Sequence, residues 1–365
     1  MITTWLEISK KALLNNIFQI KKILPQKTKF MAVIKANAYG HGLLEVAKLI
    51  ENKVDYFAVY AFRDALLLRQ NGFKKKLLVL ERAFLDQVDL AIKHDIELTV
   101  TTFDILQKVK KNLKIHICVD TGLGRDGFIE DDMKKVVNFL RKSPLHVVGL
   151  YAHFASADDF NFDDYTKNQA RQLLRLQEEF LRFKINPLIH HCASASTLIG
   201  KVSKHFDMAR IGVSLYGLWP SKQIKKSKQN QVKLTPVLSW KAKILEVKFL
   251  KKGSAISYNC THILQRDSKL AVLGIGYFDG IPRLASNKAF VIVKGKKVPQ
   301  IGRVTMNLIV LDVTEIENVK VGDIATIIGC EKKVAISADD WAEFSQSSNY
   351  EIVTRINSGI KRVVV

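Results

Sequence analysis

Over roughly the first two thirds of the chain, short apolar runs alternate with longer amphipathic stretches. The runs at 29–35 (KFMAVIK), 56–60 (YFAVY), 77–80, 97–101, 114–120, 146–153 (HVVGLYAH), 187–191 and 206–213 are rich in Val, Ile, Leu or aromatic residues. Each is bounded by turn signals, as buried strands are. Between them, 43–49, 62–70, 103–111, 131–141 and 165–182 place apolar residues three or four apart, the helical period. Thr101, Thr102 and Asp131 are expected helix caps. Eight strands with helices between them predict a (β/α)8 barrel. A doubly wound sheet is the competing arrangement, and the count of eight favours the barrel. At 221–231 the texture changes: SKQIKKSKQNQ is polar and lysine-rich, and is expected to be an exposed loop or linker. Beyond it, 237–249, 270–275, 289–293, 308–313 and 324–328 alternate or run apolar between glycines, with one helix expected near 338–345. The expected fold class is therefore α/β, an N-terminal (β/α)8 TIM barrel over 1–230 followed by a mainly β C-terminal domain over 231–365.

Composition sharpens this picture. Of 365 residues, 47% are apolar and 25% charged, enough for a large core and too apolar for wholesale disorder. Lys and Arg number 57 against 35 Asp and Glu, a balance of +22, which raises nucleic acid as a partner. The lysines are scattered, as in KVKKNLK at 108–114, without aromatic interleaving or a finger motif, so a solvated face and no nucleic-acid partner are expected. Cysteines at 118, 192, 260 and 330 have no CxxC spacing, and no HExxH occurs, so neither disulfide framework nor metal site is expected. MITTWLEISKKALLNN lacks the apolar core of a signal peptide, and no run is long enough to span a bilayer. A cytoplasmic protein with no membrane partner is the expectation.

The densest chemistry lies in FMAVIKANAYGHG, 30–42, where Lys35 ends an otherwise apolar strand. It reads either as an edge charge or as an amine that forms a Schiff base among apolar neighbours. Tyr39 is placed to donate to a phosphate. Residues 191–196 follow the seventh strand and 210–213 end the eighth, where barrels commonly hold phosphate. Arg210 reads as a surface arginine or, with Gly212 close behind, as part of a backbone phosphate nest. His153, His191 and Tyr258 taken singly read more readily as ordinary core or strand residues.

VIKANAYGHG resembles the pyridoxal-phosphate lysine signature of the alanine racemase family, and the likeness continues over roughly 2–360 through VDTGLGRDGF, GLYAHFASADD, HCASAS, DMARIGVSLYGLWP, ISYNCT, GIGYFDGIPR, GRVTMN and NYEIVTRI. It implies a homodimer that interconverts L-alanine and D-alanine with pyridoxal 5'-phosphate, supplying D-alanine for peptidoglycan, the β domain of one subunit contributing to the active site of its partner. Lys35 would hold the cofactor covalently and act as base on the D face of the α-carbon, with Tyr258 as base on the L face. Arg210 would donate to the pyridine nitrogen, and as a permanent donor that cannot take the ring proton it would leave the electron sink shallow. Tyr39, Tyr350, Gly212 and Val213 would bind the phosphate. Arg125 and the Met306 N–H would meet the substrate carboxylate. His153 and His191 would support the network beside the ring, and Tyr277, Asp279 and Arg283 would line the substrate entrance.

Four positions depart from the family pattern. Cys118 stands where many members carry a carbamylated lysine that orients the arginine, so a cysteine thiolate, a chloride near Arg125 or Asp126 is expected to balance that arginine. In HCASAS, Ser194 replaces the usual asparagine and Ala195 the phosphate-binding serine, leaving Ser194 or Ser196 as the expected substitute hydroxyl. Asn307 replaces an aspartate. The alternatives are a racemase of other small amino acids such as serine, a related decarboxylase, and a pyridoxal-phosphate-binding protein without turnover.

Overall fold

The computed structural model describes residues 2–192, 198 and 206–365. These fall into two compact units, one formed by Ala12–Ala36 with Val46–Thr235, the other by Met1–Lys11, Asn37–Glu45 and Pro236–Val365. The first strand, β1 (Thr4–Ile8), buries Leu6 and Ile8 in the sheet of the second unit, antiparallel to Leu238–Ala242.

In the barrel unit all eight expected runs are strands: β2 (Lys29–Val33), β3 (Tyr56–Val59), β4 (Lys76–Arg82), β5 (Glu97–Val100), β6 (Lys114–Cys118), β7 (His146–His153), β8 (Leu188–Cys192) and β9 (Met208–Ile211). They pair in parallel in that order, and β9 returns to β2 to close the barrel. A parallel strand covered on both faces has no solvent side, which is why β3 is buried at every position and reads as a continuous apolar run, while β9 is as fully buried but carries Arg210 among its apolar residues. Helices Leu43–Ile50, Phe62–Gln70, Phe103–Lys108, Met133–Leu140 and Asp163–Arg182 occupy the expected stretches. Thr102 does precede a helix, but its hydroxyl pairs with the Asp104 carboxylate instead of a backbone N–H.

The expected loop at 221–231 contains a helix, Lys222–Lys228. Ser221 Oγ caps it by accepting from Ile224 N at 3.3 Å, and Ile224 is buried against Leu198, Trp219 and Val232. One apolar anchor among lysines, plus a cap, suffices to order a short helix whose stability comes from packing.

The second unit holds β10 (Leu238–Leu250), β11 (Ala255–Ile256), β12 (His262–Ile263), β13 (Ser268–Leu273), β14 (Phe290–Val293), β15 (Lys296–Ile301), β16 (Ile309–Asp312), β17 (Ile324–Glu331), β18 (Val334–Ile336) and β19 (Lys361–Val364). Together with β1, and without the β11–β12 pair, they form a nine-stranded sheet in the order β18-β17-β14-β15-β16-β13-β10-β1-β19, with β17 also pairing β10. The long β10 serves three neighbours because its register shifts between Ile244 and Glu246. Two buried indoles anchor the unit: Trp240 Nε1 donates to Thr4 Oγ1 at 2.9 Å, and Trp341 Nε1 to the Ile327 carbonyl at 2.7 Å.

Candidate active site

Strand β2 carries the chain through buried Val33 and Ile34 to half-buried Lys35 at its C-terminal end, the end that bears chemistry in a barrel. The next four residues turn the wrong way for L-amino acids. Ala36, Asn37, Ala38 and Tyr39 have φ of 53°, 53°, 53° and 52°, a left-handed turn without a glycine. Such backbone costs about 1–2 kcal/mol per residue and persists only where its surroundings hold it. Asn37 supplies part of that hold, its carbonyl accepting from Gly42 N at 2.9 Å and its Oδ1 from Leu43 N at 2.8 Å. His41 Nδ1 donates to the Tyr39 and Ala38 carbonyls, and Arg362 Nη2 to the Gly40 carbonyl at 3.0 Å. Burial lowers the His41 pKa to about 4, so the ring is neutral and serves as a structural donor. At Gly40, φ is 81° and a Cβ would lie 1.9 Å from the Val353 carbonyl oxygen, so no larger residue fits. This holds Tyr39 with its ring centroid 6.4 Å from that of Tyr350, so the two tyrosines expected at the phosphate meet.

On β9, next to β2 in the barrel, Arg210 is buried at 1% exposure. Nη2 donates to the Ala152 carbonyl at 2.8 Å, Nη1 lies 3.4 Å from His190 Nδ1, and the guanidinium sits 4.0 Å from the Tyr151 ring centroid. Among the described residues its Nε has no hydrogen-bond partner. A buried donor left open is costly, so the site suits an acceptor such as a pyridine nitrogen. After Ile211, Gly212 precedes the short helical turn Val213–Tyr216, which Val213 opens. His153 ends β7, half-buried. Ser194, Ala195 and Ser196 lie outside the described residues, as does the side chain of His191. Within hydrogen-bonding range of Arg210 stands His190.

The segment after β6 is shaped by Asp120, whose Oδ1 accepts from the N–H groups of Gly122, Leu123 and Gly124 and whose Oδ2 accepts from Arg125 N. Those bonds outweigh its burial and lower its pKa. Arg125 is exposed, and its Nε donates to Asp126 Oδ1 at 3.0 Å. Of the groups expected to balance Arg125, the carboxylate of Asp126 is the one in contact. Cys118 is not a thiolate, because burial pushes its pKa up to about 12.

In the second unit, Tyr258, Tyr277 and Arg283 line one cavity of about 700 Å³ with Val304, Thr305 and Ile352. Tyr258 opens a 3-10 turn after Ser257 at φ 63°, followed by Asn259 at 61° and Cys260 at 47°. Ser257 Oγ ties this turn to the Arg303 carbonyl at 2.8 Å. The Met306 carbonyl accepts from Phe278 N at 3.0 Å, one residue beyond Thr305, which lines the cavity. Asp279 Oδ2 accepts from Gly276 N at 2.8 Å and turns the GIGYFDG segment, while burial raises its pKa. Tyr258 and Met306 are 67% and 54% exposed in the single chain, with Phe278 and Leu284 exposed as well, an unusual display of large apolar groups.

Tyr151, His190, His116 and Glu97 were not singled out by sequence reasoning, although all four surround Arg210 or its neighbours. The available signal was alternation: Glu97 and Thr99, His116 and Cys118, and Tyr151 and His153 are polar pairs two apart on otherwise apolar strands, hence on one face.

Known proteins bear directly on this arrangement. Residues 8–220 match the profile of a family described as alanine racemase, N-terminal domain, and 237–364 that of alanine racemase, C-terminal domain. The chain is 35% identical over 368 residues to an alanine racemase of Methylacidiphilum infernorum, covering 98% of this chain and 92% of that one. It is also 35% identical over 374 residues to that of Leptospira interrogans, covering 100% and 96%. Among solved structures, the alanine racemase of Bacillus anthracis with bound L-Ala-P superposes with a TM-score of 0.92 at 33% identity, covering 100% of this chain and 95% of that one. The enzyme of Clostridium difficile 630 gives 0.92 at 30% identity, covering 100% and 96%.

Proposed function

Because this chain belongs to the alanine racemase family, we propose that it interconverts L-alanine and D-alanine with pyridoxal 5'-phosphate. The observation that carries the reading is the open, buried Nε of Arg210 on the strand beside the one that leads to Lys35. The α-proton of an amino acid is too weakly acidic to leave unaided, and the cofactor supplies the electron sink. The hydroxyls of Tyr39 and Tyr350 and the N–H groups of Gly212 and Val213 are the phosphate ligands, and Arg210 Nε is the donor to the ring nitrogen. Arg125, steadied by Asp126, and the Met306 N–H receive the substrate carboxylate. Lys35 Nζ takes or returns the proton on the D face and Tyr258 Oη on the other, as inversion requires.

The exposure of Tyr258 and Met306 supports the family arrangement, a homodimer in which each site draws its tyrosine from the second subunit. A cytoplasmic location, feeding D-alanine to peptidoglycan, is part of the same proposal and is supported by the free thiols of Cys118, Cys260 and Cys330. The test is chiral analysis of product after incubating the cofactor-loaded protein with L-alanine. D-Alanine from the wild type, lost in Lys35→Ala and strongly reduced in Tyr258→Phe, is expected. Cofactor uptake without any D-alanine would sink the proposal.

A further inference from the structure

Among the described residues, Glu97 and Arg210 are, histidines aside, the two acidic or basic side chains buried in the protein, and both belong to the barrel unit. Isolated buried charges are too costly to persist, so each needs an answering charge. They do not touch. Two histidines connect them. Glu97 Oε2 lies 2.6 Å from His116 Nε2, His116 Nδ1 lies 2.8 Å from His190 Nε2, and His190 Nδ1 lies 3.4 Å from Arg210 Nη1.

The donors in this chain can run only one way. Arginine donates and cannot accept, so His190 Nδ1 is the acceptor at one end. A carboxylate accepts, so His116 Nε2–H is the donor at the other. His190 Nε2–H then donates to His116 Nδ1, and both rings are neutral. An extra proton on either ring would leave an unmatched positive charge inside the barrel. Tyr151 borders the chain without entering it: its ring stacks on His190 at 4.9 Å, and its hydroxyl donates to Thr99 Oγ1, which in turn donates to the Val79 carbonyl.

The two histidines stand on β6 and β8, with β7 between them. They meet because position 149 on β7, opposite His116, is glycine. A Cβ there would lie 2.1 Å from His116 Nδ1 and 2.8 Å from His190 Nε2, the two bonded atoms themselves. Gly149 thus makes the gap through which the chain passes.

We propose that Glu97, His116 and His190 form a directed relay that positions Arg210 and balances its charge, and so sets how strongly its open Nε donates to the cofactor ring. This role rests on the proposed function, whereas the relay itself exists in the protein alone. Glu97, His116 and His190 are positioning residues, acting through Arg210.

The test uses the full-length protein, with and without pyridoxal phosphate, as wild type, Glu97→Gln, Gly149→Ala and the double variant. In the cofactor-free wild type, 15N-histidine spectra at pH 7.5 should show two neutral rings protonated at Nε2, with a strongly hydrogen-bonded proton that Gly149→Ala removes. In the loaded protein, each single variant should shift the visible absorption band of the bound cofactor and weaken its binding by about tenfold or more, as loss of a charged hydrogen bond would. Because both changes cut one chain, the double variant should be little worse than the more damaging single. Multiplying effects in the double variant, or an absorption band and affinity unmoved by Glu97→Gln, would overturn the relay's role. A wild type with the expected histidine spectra that takes up no cofactor would overturn the proposed function and leave the relay standing as a charge-balancing device.

Discussion

At the scale of single residues, this protein holds a buried histidine neutral for structural ends. His41 titrates near 4 when folded and near 6.5 when unfolded, so between these values the unfolded chain binds more protons. Stability is therefore complete above about pH 6.5 and is lost as pH falls toward 4, by about 2 kcal/mol at pH 5. Urea midpoints at pH 7.5 and pH 5, compared between wild type and His41→Asn, should show a smaller pH dependence in the variant. The Arg125–Asp126 pair makes a second case. Both side chains are exposed, so the pair adds little stability, and its value lies in aim. Asp126→Asn should leave the melting temperature within a degree or two while raising KM for alanine several-fold. Replacing chloride by a bulky anion should leave wild-type kinetics unchanged, as a carboxylate already in contact requires.

At the scale of elements, the left-handed turn after Lys35 is held from outside, so its restraints are its weak points. Gly40→Ala would press a methyl into the Val353 carbonyl at a residue already at positive φ, and should cost more than about 2 kcal/mol by denaturant titration. Ser221→Ala, by contrast, removes one helix cap and should cost about 1 kcal/mol. The eight barrel strands were legible because a parallel strand buried on both faces is mostly apolar, even where it carries a Glu97, a His116 or an Arg210. The turn was not, because KANAY reads by propensity as ordinary right-handed helix and only distant groups such as Arg362 and Val353 impose the other hand. The segments bearing Lys35, Tyr258 and Arg210 stood out as motifs. The relay did not, since His116 finds Glu97 19 residues away and His190 74 residues away, and nothing local marks either pairing.

At the scale of the whole molecule, sites shared between subunits can be tested by mixing defects. Lys35→Ala and Tyr258→Phe proteins, each inactive or nearly so, should regain activity after subunit exchange. Half of the dimers are then mixed, and each has one intact site of two, giving about a quarter of wild-type activity. Sites contained within one subunit would show no recovery.

The second unit is assembled from three separate lengths of chain, with β1 seated between β10 and β19. It follows that this unit is not a portable module. A gene fragment encoding 237–365 would lack the strand that covers β10 and β19, leaving two raw edges able to recruit other chains. Recombination between relatives at a single crossover near residue 230 would likewise pair a sheet from one parent with a β1 from the other, so Leu6 and Ile8 must travel with the strands they pack against for a chimera to stay soluble.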